Sequence, residues 1–176
     1  MQILMVCTGN LCRSPMAEAL MRHALDQAGC GEIDVVSSGT WAGVGHGATR
    51  EACTALEGRG IDLTSHRSTP LSGAALKEAD LIVAMTSVHL REIEGLVPGT
   101  RRKTLLMKEI SELKEPRFPE GASLAERLEL VLSAKRPEYR RALDLDDPIG
   151  LPQFAYERCA SEIETGVNKL VESLCG

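Results

Sequence analysis

The sequence predicts a three-layer α/β fold, a doubly wound four-stranded parallel sheet with helices on both faces. Three observations predict it. Short apolar runs alternate along the chain with stretches of helical periodicity, the pattern of parallel strands joined by right-handed crossovers. The first run, at 3–6, is continuous and bounded, as in a parallel strand covered on both faces. The 176 residues, 43% hydrophobic and 26% charged, are enough for one domain with its own core.

The first strand is read at 3–6 and breaks into Thr8-Gly9-Asn10. A helix follows from near Ser14-Pro15, where Met16, Ala19, Leu20, His23, Ala24 and Ala28 recur at i, i+3, i+4 spacing. Ser14 is expected as its N-cap and Pro15 suits its first turn, with Gly29 and Gly31 ending it. The second strand is read at 33–36, a glycine-rich loop at 37–47, and a helix at about 48–57 that stops at Gly58-Arg59-Gly60. Helical segments at 72–78 and 87–94 flank a third strand at 81–85, and a weaker fourth strand is read at 103–107. A polar stretch with proline fills 111–146, helical around 124–134, before a last helix at about 154–174. The expectation is one domain over 1–176, with 115–145 as its most insertion-like, helical segment.

A formal net charge of −5 speaks against a nucleic-acid partner, which usually meets a basic patch. No apolar run reaches the roughly 18–20 residues of a membrane span, so no membrane partner is expected. The N-terminus lacks a basic region before its short apolar run, so no signal peptide is expected. The cysteines at 7, 12, 30, 53, 159 and 175 are therefore expected as reduced thiols in a cytoplasmic protein. Their spacing does not match a structural zinc site, and no metal or cofactor is expected.

In a doubly wound sheet the site lies beyond the carboxyl ends of the strands, which directs attention to the loop Cys7-Thr8-Gly9-Asn10-Leu11-Cys12-Arg13-Ser14. Gly9 gives backbone freedom for an anion nest of N–H groups. The helix after it points its N-terminal amides at the same place. Arg13 offers a planar fork for two phosphate oxygens. A thiol beside a helix N-terminus and an arginine ionises more readily, and Cys7 is so placed. The parts suit phosphoryl transfer to Cys7 followed by hydrolysis. Each has a plainer reading alone: Cys7 as core, Arg13 as a surface charge. The Cys-x5-Arg-Ser spacing between a strand and a helix favours the functional one.

These residues, with Pro15-Met16-Ala17-Glu18, resemble the signature of the low-molecular-weight protein-tyrosine-phosphatase family. The resemblance extends through Ser37-Ser38-Gly39, the segment from Gly60-Ile61 to His66, Ala79-Asp80 and Asp147-Pro148. It implies the flavodoxin-like strand order 2-1-3-4. It also implies a general acid, Asp147, that protonates the leaving group and then activates water; Asp146 is the competing carboxylate, and Asp-Pro also simply opens turns. Asn10 resembles the asparagine that shapes the cradle, Ser14 the serine that donates to the nucleophilic sulfur, and His66 a histidine bracing the asparagine. Cys12 resembles the neighbour that forms a reversible disulfide with the nucleophile under oxidation; a buried filler is the equal alternative.

Leu11, at the family's variable loop position, and Trp41, as an aromatic wall, imply phosphotyrosine on protein substrates. The Cys-Thr-Gly-Asn opening and the 66–86 region resemble the bacterial branch that includes protein-arginine phosphatases, which makes phosphoarginine the alternative. Ile149 departs from the family pattern, standing where tyrosine-type members carry an aromatic wall. The chain is expected to be a monomer or weak homodimer. An arsenate reductase would need further cysteines within 80–89, and none is there. The glycines at 43, 45 and 47 lack nucleotide-loop spacing. A silent phosphoprotein-binding module would have lost Cys7 or Asp147, and both are present.

Overall fold

Four strands, β1 (Gln2–Cys7), β2 (Asp34–Gly39), β3 (Leu81–Ala84) and β4 (Thr104–Leu106), pair in parallel in the order β2-β1-β3-β4. The structure is a computed structural model and describes residues 1–113, 117–134 and 143–176. Seven helices accompany the sheet in the described residues: α1 (Arg13–Ala28), α2 (Arg50–Glu57), α3 (Gly73–Glu78), α4 (Ser87–Leu96), α5 (Met107–Ser111), α6 (Leu124–Ser133) and α7 (Gln153–Cys175). Successive side chains of a strand point to opposite faces, and β1 divides the core accordingly. Ile3, Met5 and Cys7 join the apolar cluster under α1, α2, α5 and α7, while Leu4 and Val6 join a smaller one with Leu76 of α3 and Ile93 of α4. Cys7 thus ends the central strand on the face covered by α1.

The chain leaves β1 for β2 on one side and later returns to β3 on the other, so the loops after β1 and β3 diverge. That switch point opens the crevice above the strand ends. Thr86, after β3, caps α4 by accepting the His89 N–H at 3.4 Å, and His89 Nδ1 accepts the Thr86 N–H at 3.1 Å.

Several expectations are corrected. Ser14 is not the cap of α1: the N-cap is Cys12, without a side-chain bond, and the Ser14 hydroxyl is directed to Cys7 instead. The fourth strand keeps only three residues, because 100–103 form a 3-10 turn and Met107 already opens α5. The cysteines are not all reduced, since Cys30 and Cys175 form a disulfide. The reason is geometric: α7 packs along α1 and both end at one corner, with the two Cα atoms 6.4 Å apart, within bridging range. A separation of 145 residues hides this from any spacing argument. Cys7, Cys12, Cys53 and Cys159 remain free. Of the segment read as insertion-like, 117–134 contains α6, whose Leu128 and Val131 join the core; 115–116 and 135–142 lie outside the described residues. No helix among the described residues is long and apolar enough to cross a membrane.

Gly39 fixes how closely β2 approaches the loop after β1. A Cβ there would lie 2.4 Å from the Thr8 carbonyl oxygen, 2.8 Å from the Asn10 nitrogen and 2.9 Å from the Ala42 Cβ, two of them backbone atoms. Gly39→Ala is therefore expected to cost about 1–3 kcal/mol, as overpacking typically does, and to shift the amide resonances of residues 8–10. Chemical denaturation and an amide NMR spectrum check this; unchanged stability with an unmoved loop would contradict it.

Candidate active site

Cys7 is 3% exposed. Its sulfur accepts the Asn10 N–H at 3.3 Å and lies 3.0 Å from the Ser14 hydroxyl. The sequence assigned the loop's backbone freedom to Gly9; the structure places it at Asn10, whose φ of 54° is the one positive value at a non-glycine among the described residues. Asparagine tolerates this left-handed conformation better than most side chains. The fully buried Asn10 side chain holds it there: Nδ2 donates to Ser14 Oγ at 2.9 Å and Ser37 Oγ at 2.8 Å, and Oδ1 accepts the Thr69 N–H at 2.8 Å. His66 Nε2 donates to the Asn10 carbonyl at 2.8 Å. The Ser37 hydroxyl in turn donates to Glu18 Oε2 at 2.6 Å. Asn10, Ser14 and His66 are thus brought together around Cys7. Thr69 lies in no motif and was not singled out from the sequence, and Glu18 entered only as part of the quoted signature, with no role given to it.

Arg13, the first residue of α1, is 4% exposed. Its Nη1 donates to the Leu145 carbonyl at 3.1 Å. Its Nη2 pairs with the Asp147 carboxylate and lies 3.5 Å from Thr8 Oγ1. Asp147 Oδ1 also accepts the Ile149 N–H at 3.2 Å. Asp146, the competing carboxylate, faces Arg158 at 3.6 Å and is largely exposed. The segment carrying Asp147 is tied to the end of β3: Leu145 N–H donates to the Met85 carbonyl at 2.9 Å, and the Asp144 carboxylate accepts the Ser87 N–H at 2.7 Å and its hydroxyl at 3.0 Å.

His89 is a site residue the sequence reading missed. It is 3% exposed, and Nε2 lies 2.9 Å from Thr8 Oγ1. Burial, followed by the positive charge of Arg13, pushes its pKa down to about 4. The available signal was Thr86-Ser87-Val88-His89, which marks a helix start but gives no hint of a long-range partner.

At the rim, Leu11 is half-buried and packs against the larger core cluster, and Thr8 is exposed. Trp41 is 79% exposed; its backbone N–H donates to the Thr8 carbonyl at 2.9 Å and its indole N–H to Glu92 at 3.0 Å. Ile149 is 53% exposed. The buried Cys12 thiol lies 3.6 Å from the Thr49 hydroxyl, and burial pushes its pKa up. The glycine-rich stretch at 43–47 is tied by Gly45 and His46 backbone bonds to Ser68. Among the described residues no group of three or more His, Cys, Asp or Glu is placed to hold a metal ion.

A buried thiol, a buried guanidinium and a carboxylate therefore meet at the switch point, and comparisons with known proteins bear on them. Residues 2–116 match the family model described as low molecular weight phosphotyrosine protein phosphatase. The chain is similar to a probable low molecular weight protein-tyrosine-phosphatase EpsP of Ralstonia solanacearum, with 31% identity covering 96% of this chain and 92% of that protein. It is similar, at 32% identity covering 98% and 95%, to a protein-arginine-phosphatase of Geobacillus stearothermophilus. The solved low molecular weight protein tyrosine phosphatase from T. tengcongensis superposes with a TM-score of 0.77 at 31% identity, covering 99% of both chains. The chain belongs to the low molecular weight phosphotyrosine protein phosphatase family.

Proposed function

We propose that this phosphatase acts on phosphorylated protein side chains, phosphotyrosine first, with Cys7 as nucleophile, Arg13 and the loop amides as the phosphate cradle, and Asp147 as acid and then base. The family works through a phosphocysteine intermediate. The observation that carries the assignment is the Arg13–Asp147 pair beside Cys7, which joins residues 134 apart in sequence.

In the first step the Cys7 sulfur attacks phosphorus opposite the leaving oxygen. The S–P bond forms as the P–O bond breaks, and the leaving oxygen takes a proton from Asp147. Arg13 and the loop N–H groups carry the charge on the three equatorial oxygens, and the Ser14 hydroxyl steadies the sulfur. A phosphate dianion competes with Asp147 for Arg13 Nη2, so binding frees the carboxylate for its proton-transfer work. In the second step Asp147 takes a proton from water as its oxygen attacks phosphorus, and the S–P bond breaks to restore the thiolate.

Leu11 and Trp41 support an aromatic substrate; Ile149 supplies an aliphatic side where an aromatic would complete a phenol slot. That residue, with the arginine-phosphatase relative, favours phosphoarginine as the second reading. We further propose one working domain over 1–176, monomeric or weakly dimeric, acting in the cytoplasm. Cys12 is proposed to guard Cys7 by a reversible disulfide under oxidation.

Asp147→Ala should lower kcat/KM by about 100-fold or more on poor leaving groups, the scale of a lost general acid, and far less on p-nitrophenyl phosphate. Equal losses on both would remove Asp147 from the acid role. Side-by-side kcat/KM on phosphotyrosine and phosphoarginine peptides tests the substrate class, with Cys7→Ser as the blank. Preference for phosphotyrosine, reduced by Leu11→Thr, is expected. Preference for phosphoarginine assigns the second reading instead.

A further inference from the structure

The buried ring of His89 joins the start of α4 to the mouth of the Cys7 loop, and the two ring nitrogens have different partners. Nδ1 accepts the Thr86 backbone N–H at 3.1 Å and lies 2.9 Å from the Thr86 hydroxyl. Because a backbone N–H only donates, Nδ1 carries a lone pair and the ring proton sits on Nε2. Nε2 then donates to Thr8 Oγ1 at 2.9 Å. The same oxygen faces Arg13 Nη2 at 3.5 Å. With two donors directed at Oγ1, the Thr8 hydroxyl proton is turned away from both, and Thr8 is exposed at the mouth.

We propose that His89 is a positioning residue for the phosphate cradle, acting through Thr8. Its fixed tautomer holds Thr8 Oγ1 against the Arg13 guanidinium and leaves the Thr8 O–H free to meet an oxygen of the bound phosphoryl group. The inference rests on the phosphatase reading above. The charged groups facing the ring are Arg13 of α1, Glu92 of α4, and Asp144 and Asp147 of the segment before α7. Burial and Arg13 together keep it neutral down to about pH 4, so one tautomer persists across the neutral range. An imidazolium would put a proton on Nδ1 against the Thr86 N–H and a second positive charge beside Arg13.

The rival role is purely local, with His89 serving only to cap α4. Two isosteric replacements separate the two roles. His89→Asn keeps an acceptor near the Nδ1 position and loses the reach to Thr8; His89→Gln keeps a donor near the Nε2 position and loses the cap. The readouts are kcat/KM on a phosphotyrosine peptide and tungstate affinity by calorimetry in the Cys7→Ser background, which reads the cradle without turnover. His89→Asn is expected to lower kcat/KM about tenfold or more, the scale of a misplaced catalytic group, and to weaken tungstate binding. His89→Gln should recover most of that loss. In a Thr8→Val background the effect of His89→Asn should shrink to less than about twofold, because the two side chains act as one unit.

Wild-type behaviour of His89→Asn with loss in His89→Gln would reduce His89 to a cap and overturn the inference. An undiminished His89→Asn effect in the Thr8→Val background would overturn it equally. Should the His89 variants fail to fold, the bond is tested from its exposed end: Thr8→Val must reproduce the loss and shift the His89 ring nitrogen resonances, with Thr8→Ser recovering both. A normal Thr8→Val protein overturns the inference. A wild-type protein that binds tungstate without hydrolysing phosphate esters would sink the phosphatase reading and leave the cradle argument readable by affinity. One that does neither would sink both.

Discussion

The site depends on one buried amide. Asn10 sits in the left-handed region with φ 54°, a conformation that costs an ordinary side chain of order 1 kcal/mol or more. Its fully buried side chain is satisfied at Ser14, Ser37 and Thr69, and its carbonyl at His66. Leaving a buried amide unsatisfied costs roughly 1–3 kcal/mol for each orphaned group, so the partners and the conformation enforce each other. The consequence is functional geometry: in this conformation the Asn10 N–H points at the Cys7 sulfur. Ser37 of β2 together with His66 and Thr69 thus holds the Cys7 loop in shape, while the helix dipole of α1 acts at the same loop.

A second frame holds Asp147, the proposed acid. Asp144 grips the first turn of α4 and Leu145 grips Met85, so Asp147 stands on a segment tied to β3 rather than to β1. Arg13 bridges the two frames, bonded at once to the Leu145 carbonyl, Asp147 and Thr8. A guanidinium only 4% exposed is costly to bury without such partners, which ties the closing of the crevice to a charge that the proposed chemistry also uses. α4 touches both frames, through Ser87 on the Asp144 side and His89 on the Thr8 side.

The sheet was legible because strands covered on both faces must be apolar throughout, and the runs at 3–6 and 81–85 are; the run at 33–36, interrupted by the exposed Asp34, belongs to the edge strand β2. The Cys7 loop was legible because nest, helix start, arginine and thiol fall within eight consecutive residues. What was illegible is whatever depends on long-range approach. Asp147 entered only by family resemblance, since nothing local distinguishes it from Asp146; the structure separates them by their partners, Arg13 and Arg158. Ser14 fitted a cap by type, yet its hydroxyl faces Cys7. His89 looked like an ordinary helical residue, and Cys30 and Cys175 gave no sign of sharing a corner. The weak fourth strand ended early because Met107 already turns into α5.

The most direct test of the central claim is to look for phosphate on Cys7 during turnover. Asp147→Ala protein, which lacks the proposed base for the second step, is mixed with p-nitrophenyl phosphate, quenched, and read by phosphorus NMR and peptide mass spectrometry. The account predicts a phosphothioester on the peptide containing Cys7, and none in the Cys7→Ser, Asp147→Ala double variant. Turnover without such a species, or phosphate carried on another side chain, would contradict it.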